Sequence, residues 1–167
     1  MKITIPAFIL CFIFISCASM SDYENTLKNF NYPNKIPASG LIKMEDGYFE
    51  QELKPGSMNM AQSSYICGAH GYLDDDAVED MASVIAVSGS GDGTYYYLYI
   101  LVKSGEEYKY KASALLGDRI KIKTIKIGNK KIGIQYLTHG ADDEKNDPTV
   151  STTSIFALYG DRIKKLR

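Results

Sequence analysis

The sequence predicts a mainly β domain, an antiparallel sheet or sandwich-like fold preceded by a short N-terminal helix or tether. Three observations carry this. Short apolar segments with period-two alternation recur from Leu41 to the C-terminus, as half-buried strands require. Glycine-containing turns punctuate them, at Glu45-Asp46-Gly47, Gly89–Gly93, Gly128-Asn129 and Gly160-Asp161. Thr94–Lys103 is apolar or aromatic on both faces, which suits a central strand covered on both sides. With 167 residues, 45% of them hydrophobic and 23% charged, the chain suits one domain with a real core.

The N-terminus opens with Met1-Lys2, an apolar run from Ile3 to Ile15, then Ser16-Cys17. A cation, a short apolar stretch and a small residue before a cleavage point have the layout of a secretory signal peptide over residues 1–16. The run falls short of the roughly 20 residues a membrane-spanning helix needs. Residues 17–40 then read as a tether and lead-in, rich in Ser, Asn and Pro, in which Asp22 is placed to cap a short helix over Tyr23–Phe30. The globular domain is expected over residues 41–167.

Within it, Tyr48–Leu53 is the first strand, stopped by Pro55-Gly56, and Ser64–His70 the second. Met81–Ser88, rich in Val and Ile, pairs with Thr94–Lys103 as a hairpin around the glycine-rich turn. Tyr108–Leu116 alternates cleanly. Arg119–Ile127 places Ile120 and Ile122 in one phase and Ile125 and Ile127 in the other, so a β-bulge is expected near Lys123-Thr124. Lys130–Leu137 follows, then a polar loop over His139–Pro148, then strands at Val150–Tyr159 and Arg162–Leu166. Ala114–Lys121 is echoed by Ala157–Lys164, and each copy is expected to form a tight hairpin at its Gly-Asp pair. The alternative makes Arg119 and Arg162 paired anion ligands.

Net charge is −1, which gives no reason to expect a nucleic-acid partner. Three Cys are too few for a disulfide scaffold. No Gly-Xaa-Ser-Xaa-Gly, P-loop, His-Glu-Xaa-Xaa-His or Cys-Xaa-Xaa-Cys is present.

Phe14-Ile15-Ser16-Cys17 resembles a bacterial lipobox, with Phe14 where Leu is usual. That resemblance implies cleavage before Cys17 and acylation of its thiol, hence a lipid-bilayer partner. Ala18 after the Cys points to an outer membrane where one exists. Further along, the chain resembles a family of uncharacterised bacterial envelope lipoproteins over roughly residues 40–165. The likeness rests on Glu45–Glu50, the Asp-rich loop at Gly71–Asp80, Tyr95-Tyr96-Tyr97-Leu98, Leu116–Ile122, Thr138-His139-Gly140 and Asp147-Pro148. It implies a lipid-anchored cell-envelope protein, membrane-attached through palmitate or a similar acyl chain, and supplies no catalytic residues. The Cys-Cys pair that relatives often carry after Asp-Pro is missing.

The Asp-rich loop resembles a calcium loop in those relatives, and Asp74, Asp76 and Asp80 are its candidate metal ligands here. Tyr72 stands where the first carboxylate belongs, and Ala77 replaces the turn glycine. The competing reading is a solvated turn with Asp76 as a helix N-cap. His70 and His139 share a His-Gly-Xaa-Xaa-Asp pattern and would make a transition-metal site if their loops met. Asp142, Asp143, Glu144 and Asp147 form a second acidic loop, a solvated surface or a source of paired carboxylates for glycoside chemistry. Cys67 is a reactive thiol or a small core residue. Tyr95, Tyr97 and Tyr99 are core packing or a glycan-stacking face.

These readings converge on a membrane-anchored envelope protein with a non-enzymatic binding or scaffolding role, its partner an envelope protein or glycan. A calcium module and a hydrolase of envelope polymers are the alternatives.

Overall fold

The computed structural model describes residues 20–167 apart from Ala38, Ser90 and Asp92. The signal segment and Cys17 lie outside the described residues. Helix α1 spans Met20–Lys28 and is followed by β1 (Asn31–Pro33), β2 (Leu41–Lys43), β3 (Tyr48–Glu52), β4 (Met60–Gly71), β5 (Asp80–Ser88) and β6 (Thr94–Ser104). Then come β7 (Glu107–Asp118), β8 (Lys121–Gly128), β9 (Lys131–Thr138), β10 (Val150–Tyr159) and β11 (Arg162–Lys165). The class is mainly β and antiparallel throughout, with one short helix at the N-terminal end.

The strands form a two-stranded pair β1-β2, a five-stranded sheet β3-β4-β5-β6-β7 and a four-stranded sheet β11-β10-β9-β8. The larger sheet is the middle layer, because both of its faces are apolar. On one face Ala82, Val84, Leu98 and Ile100 meet Ile132, Ile134, Tyr136 and Phe156 of the smaller sheet. On the other, Met81, Ile85, Val87, Tyr99 and Leu101 meet Leu27 of α1 together with Tyr32 and Ile42 of β1 and β2. Alternate residues of β6 thus supply two different cores, and Leu98 to Leu101 are fully buried. This is the doubly covered central strand its sequence predicts.

The bulge on β8 also appears where expected. The register shifts between Ile122 and Thr124. The extra residue, Lys123, resets the phase, so that Ile120, Ile122, Ile125 and Ile127 all pack against the inter-sheet core.

Four expectations are corrected. The fold includes residues before Leu41, since Leu27 and Tyr32 are core residues and the described part of that segment is no free tether. Asp22 sits inside the first turn of α1, where its charge complements the helix dipole, and is not its cap. No helix follows Asp76; its Oδ1 instead accepts the Val78 N–H in a turn leading to β5. Only the second Gly-Asp copy is a hairpin, with Tyr159 opposite Arg162. The first carries the chain from one sheet to the other, with Arg119 in the left-handed region at φ 48°. Arg162 does not join Arg119. Its neighbour Asp161 is ion-paired to Lys111, which lies eight residues before Arg119 and so about 25 Å away along an extended chain.

Candidate functional site

Strand β4 outruns its neighbour. β3 pairs with Met60–Ser64 only, whereas β5 follows β4 as far as Gly71. Beyond Tyr65 the outer edge of β4 has no strand partner among the described residues. β8 is itself the edge of the smaller sheet. Between these two edges and α1 lies a cleft of about 380 Å³, lined by Tyr23, Glu24 and Leu27 from α1, Tyr65, Gly68, Ala69 and His70 from β4 and Ile125, Lys126 and Ile127 from β8. That volume is within the range of small-ligand sites.

Close packing builds the walls. A Cβ on Gly68 would fall 2.3 Å from Leu27 Cδ1, and one on Gly71 2.8 Å from Ile127 Cγ2. Glycine lets α1 and β8 close on β4 from its two sides. Three polar groups converge at the rim. The Tyr23 hydroxyl donates to Glu79 Oε2 at 2.8 Å, and His70 Nδ1 lies 3.2 Å from the same oxygen. The two rings stack, with centroids 4.1 Å apart and planes 8° from parallel. Tyr108 holds the Glu79 carbonyl by a hydrogen bond of 3.3 Å. The Glu79 carboxylate, which accepts its hydrogen bond, holds the Tyr23 phenol neutral and pushes its pKa up to about 12. A carboxylate only accepts, so the His70 proton is assigned to Nδ1. Nε2 has no protein partner among the described residues and is the group left to meet a ligand. Sequence reasoning paired His70 with Asp74. It missed Tyr23 and Glu79, which lie 47 residues before and 9 after His70 and bear no local signature.

The other candidates lie elsewhere. Asp80 is fully buried, and its two oxygens accept the N–H groups of Leu73 (3.1 Å) and Lys103 (3.2 Å). Burial raises its pKa. Asp74 accepts the Asp76 N–H and Asp76 that of Val78, so each carboxylate closes its own turn. Asp75 pairs with Lys130. Among the described residues no group of three or more His, Cys, Asp or Glu side chains is arranged to hold a metal ion.

His139 donates from Nε2 to the Arg119 carbonyl at 3.1 Å and does not meet His70. In the second acidic loop Asp143 accepts the Gly140 N–H, the Thr149 N–H and the Thr149 hydroxyl. Those bonds lower its pKa and close the loop. Cys67 is half-buried against the inter-sheet core, and burial pushes its thiol up to about 11. Tyr99 is fully buried; its hydroxyl donates to the Pro33 carbonyl and accepts from Asn34. Of Tyr95, Tyr97 and Tyr99 only Tyr95 is exposed, at 39%.

No protein-family model, curated protein or solved structure matches the chain. Among the described residues no helix is long and apolar enough to cross a membrane.

Proposed function

We propose that the chain is a lipid-anchored protein of the bacterial cell envelope, held to the outer membrane where one exists by an acylated Cys17. Its β domain binds a ligand without catalysis in the cleft between α1, β4 and β8. The observation that carries the binding reading is the arrangement of Tyr23, His70 and Glu79. One carboxylate oxygen engages both the phenol and the imidazole and leaves one ring nitrogen of His70, a residue that lines the cleft, without a protein partner among the described residues. A cleft with mainly apolar walls and a few polar groups, the His70 ring among them, suits a ligand with an apolar body and a hydrogen-bonding group. The nearest thiol, Cys67, is held away from its nucleophilic form.

The anchor is tested by labelling cells with radioactive palmitate: the wild-type chain takes up label and Cys17→Ala does not. Equal labelling of the two would remove the anchor. The cleft is tested by imidazole NMR, because the chain has 2 His. Octanoate and N-acetylglucosamine serve as probes of acyl and glycan chemistry. A probe that enters the cleft shifts the His70 signals and leaves those of His139 in place. Probes that move neither ring, or both equally, count against the site.

A further inference from the structure

The charge of this chain is segregated by its topology. Net charge is −1 overall, yet strands β8 to β11 carry no acidic side chain. Their inward residues are the isoleucines and aromatics of the inter-sheet core. Alternation sends the lysines outward. Lys121, Lys123 and Lys126 on β8, Lys131 on β9, and Arg162 and Lys164 on β11 are all exposed. None of the six forms an ion pair among the described residues. The paired lysines that border this sheet, Lys111 and Lys130, answer acids in turns, and the other ion-paired cations, Lys28 and Arg119, belong to α1 and to the crossover before β8. Between the cations stand Gln135, Thr153 and Ser151, with Leu137 and Ile155 half-buried and Tyr159 at 58% exposure. Lys164 lies over the Tyr159 ring at 5.8 Å.

We infer that the outer face of the four-stranded sheet is a docking surface for an anionic phospholipid bilayer. Charge complementarity carries the inference: unneutralised cations over a sheet face roughly 25 Å long and 15 Å across match a field of phosphate headgroups. Five of the six are lysines, mobile point charges suited to a diffuse headgroup layer more than to fixed bidentate pairing. Tyr159 is the one aromatic on the face and sits at its border, so the face offers no row of rings on which nucleotide bases would stack.

The choice of a bilayer over other polyanions rests on the proposed anchor. Only Ala18 and Ser19 separate Cys17 from Met20, and that stretch of chain reaches about 10 Å at most. The first turn of α1 and Lys126 border the same cleft, so an anchor at Cys17 keeps the β8 edge of the face beside the membrane. A tethered charged face needs little intrinsic affinity, since the anchor supplies high local concentration.

The test uses the full chain carrying Cys17→Ser, co-sedimented with vesicles of phosphatidylcholine alone or mixed with phosphatidylglycerol. Reading the ratio of the two cancels insertion through the apolar N-terminus. Binding is expected to rise about tenfold or more with phosphatidylglycerol and to lose that preference in high salt. Lys121→Glu, Lys126→Glu and Lys131→Glu together bring the ratio to about one, whereas Lys35→Glu, Lys43→Glu and Lys54→Glu keep it. If the charge-reversed chain does not melt cooperatively, the same three positions are changed to Gln, with a smaller fall in the ratio expected. A wild-type ratio near one overturns the proposal, as does an unchanged ratio in the folded variants. Salt-sensitive retention on single-stranded nucleic acid without a vesicle preference also overturns it. Palmitate labelling at Cys17 with a ratio near one leaves the anchor standing and removes the face; a high ratio without labelling does the reverse.

Discussion

Tyr23 and His70 stack face to face, 4.1 Å between centroids, while both address the same oxygen of Glu79. This ties the N-terminal helix to the far end of β4 through an aromatic contact and a shared carboxylate. The docking of α1 therefore supplies one wall of the cleft.

The shared carboxylate has a titration signature. Hydrogen bonding to Glu79, then burial, raises the Tyr23 pKa to about 12 from an ordinary value of 10.0. A raised pKa favours the protonated form in the fold. Its stabilising contribution is complete below pH 10 and is lost as pH climbs through about 12. In Glu79→Gln the Tyr23 phenol is expected to ionise closer to its ordinary value, read by ultraviolet difference titration against Tyr23→Phe. An unchanged profile would mean that the hydrogen bond does not set the shift.

Gly68 sets how close α1 lies. Its missing Cβ would stand 2.3 Å from Leu27 Cδ1, 2.9 Å from the Tyr65 hydroxyl and 3.1 Å from the Ala82 carbonyl. Leu27 is 2% exposed in a packed core and has little room to yield. Gly68→Ala is expected to cost about 1–3 kcal/mol in denaturant unfolding and to shift the His70 NMR signal as the helix lifts. Wild-type stability in this variant would show that α1 moves freely.

Much of this fold was legible because period-two patterning is local. The central strand and the bulge at Lys123 both follow from counting phases along a few residues. What the chain does at Arg119 was not legible: Gly117-Asp118 and Gly160-Asp161 share a local sequence, and only the partners available across space decide between crossover and hairpin. The same holds for Met20–Pro33. Its polar composition suggested a tether, and its few apolar side chains, Leu27 and Tyr32, find a vacant sheet face that no local pattern reveals. The Tyr23–His70–Glu79 group and the cationic sheet are likewise products of topology, which is why near-neutral net charge gave no hint of the latter.

Ala77 carries a conformational cost at φ 59°, where a side chain clashes with the backbone. Glycine relieves the clash, at the expense of a more flexible unfolded chain. Ala77→Gly is expected to stabilise the fold by about 0.5–1 kcal/mol, measured by thermal or urea unfolding. Destabilisation would mean that the left-handed turn is not kept in solution.

The last prediction concerns Asp80, a candidate calcium ligand that the fold uses internally. Both carboxylate oxygens accept backbone N–H groups, from Leu73 and from Lys103, and so pin the start of the acidic loop to the end of β6. Burial raises its pKa, so charging it works against the fold. Taken alone, Asp80 stabilises most below its ordinary carboxyl pKa of 3.8, and the contribution fades as pH rises through its higher native value. Asn has one acceptor where Asp has two, so in Asp80→Asn an amide N–H₂ must face one of the two donors. Because the wild-type carboxyl carries its burial cost only where it is charged and Asn does not titrate, Asp80→Asn is expected to lose about 1–3 kcal/mol at acid pH and less at neutral pH. Denaturant unfolding at the two pH values measures this. The same reasoning bears on the metal: with both oxygens engaged inward, millimolar calcium should leave the melting temperature unchanged. A calcium-dependent rise that Asp80→Asn abolishes would instead place a cation among Asp74, Asp76 and Asp80.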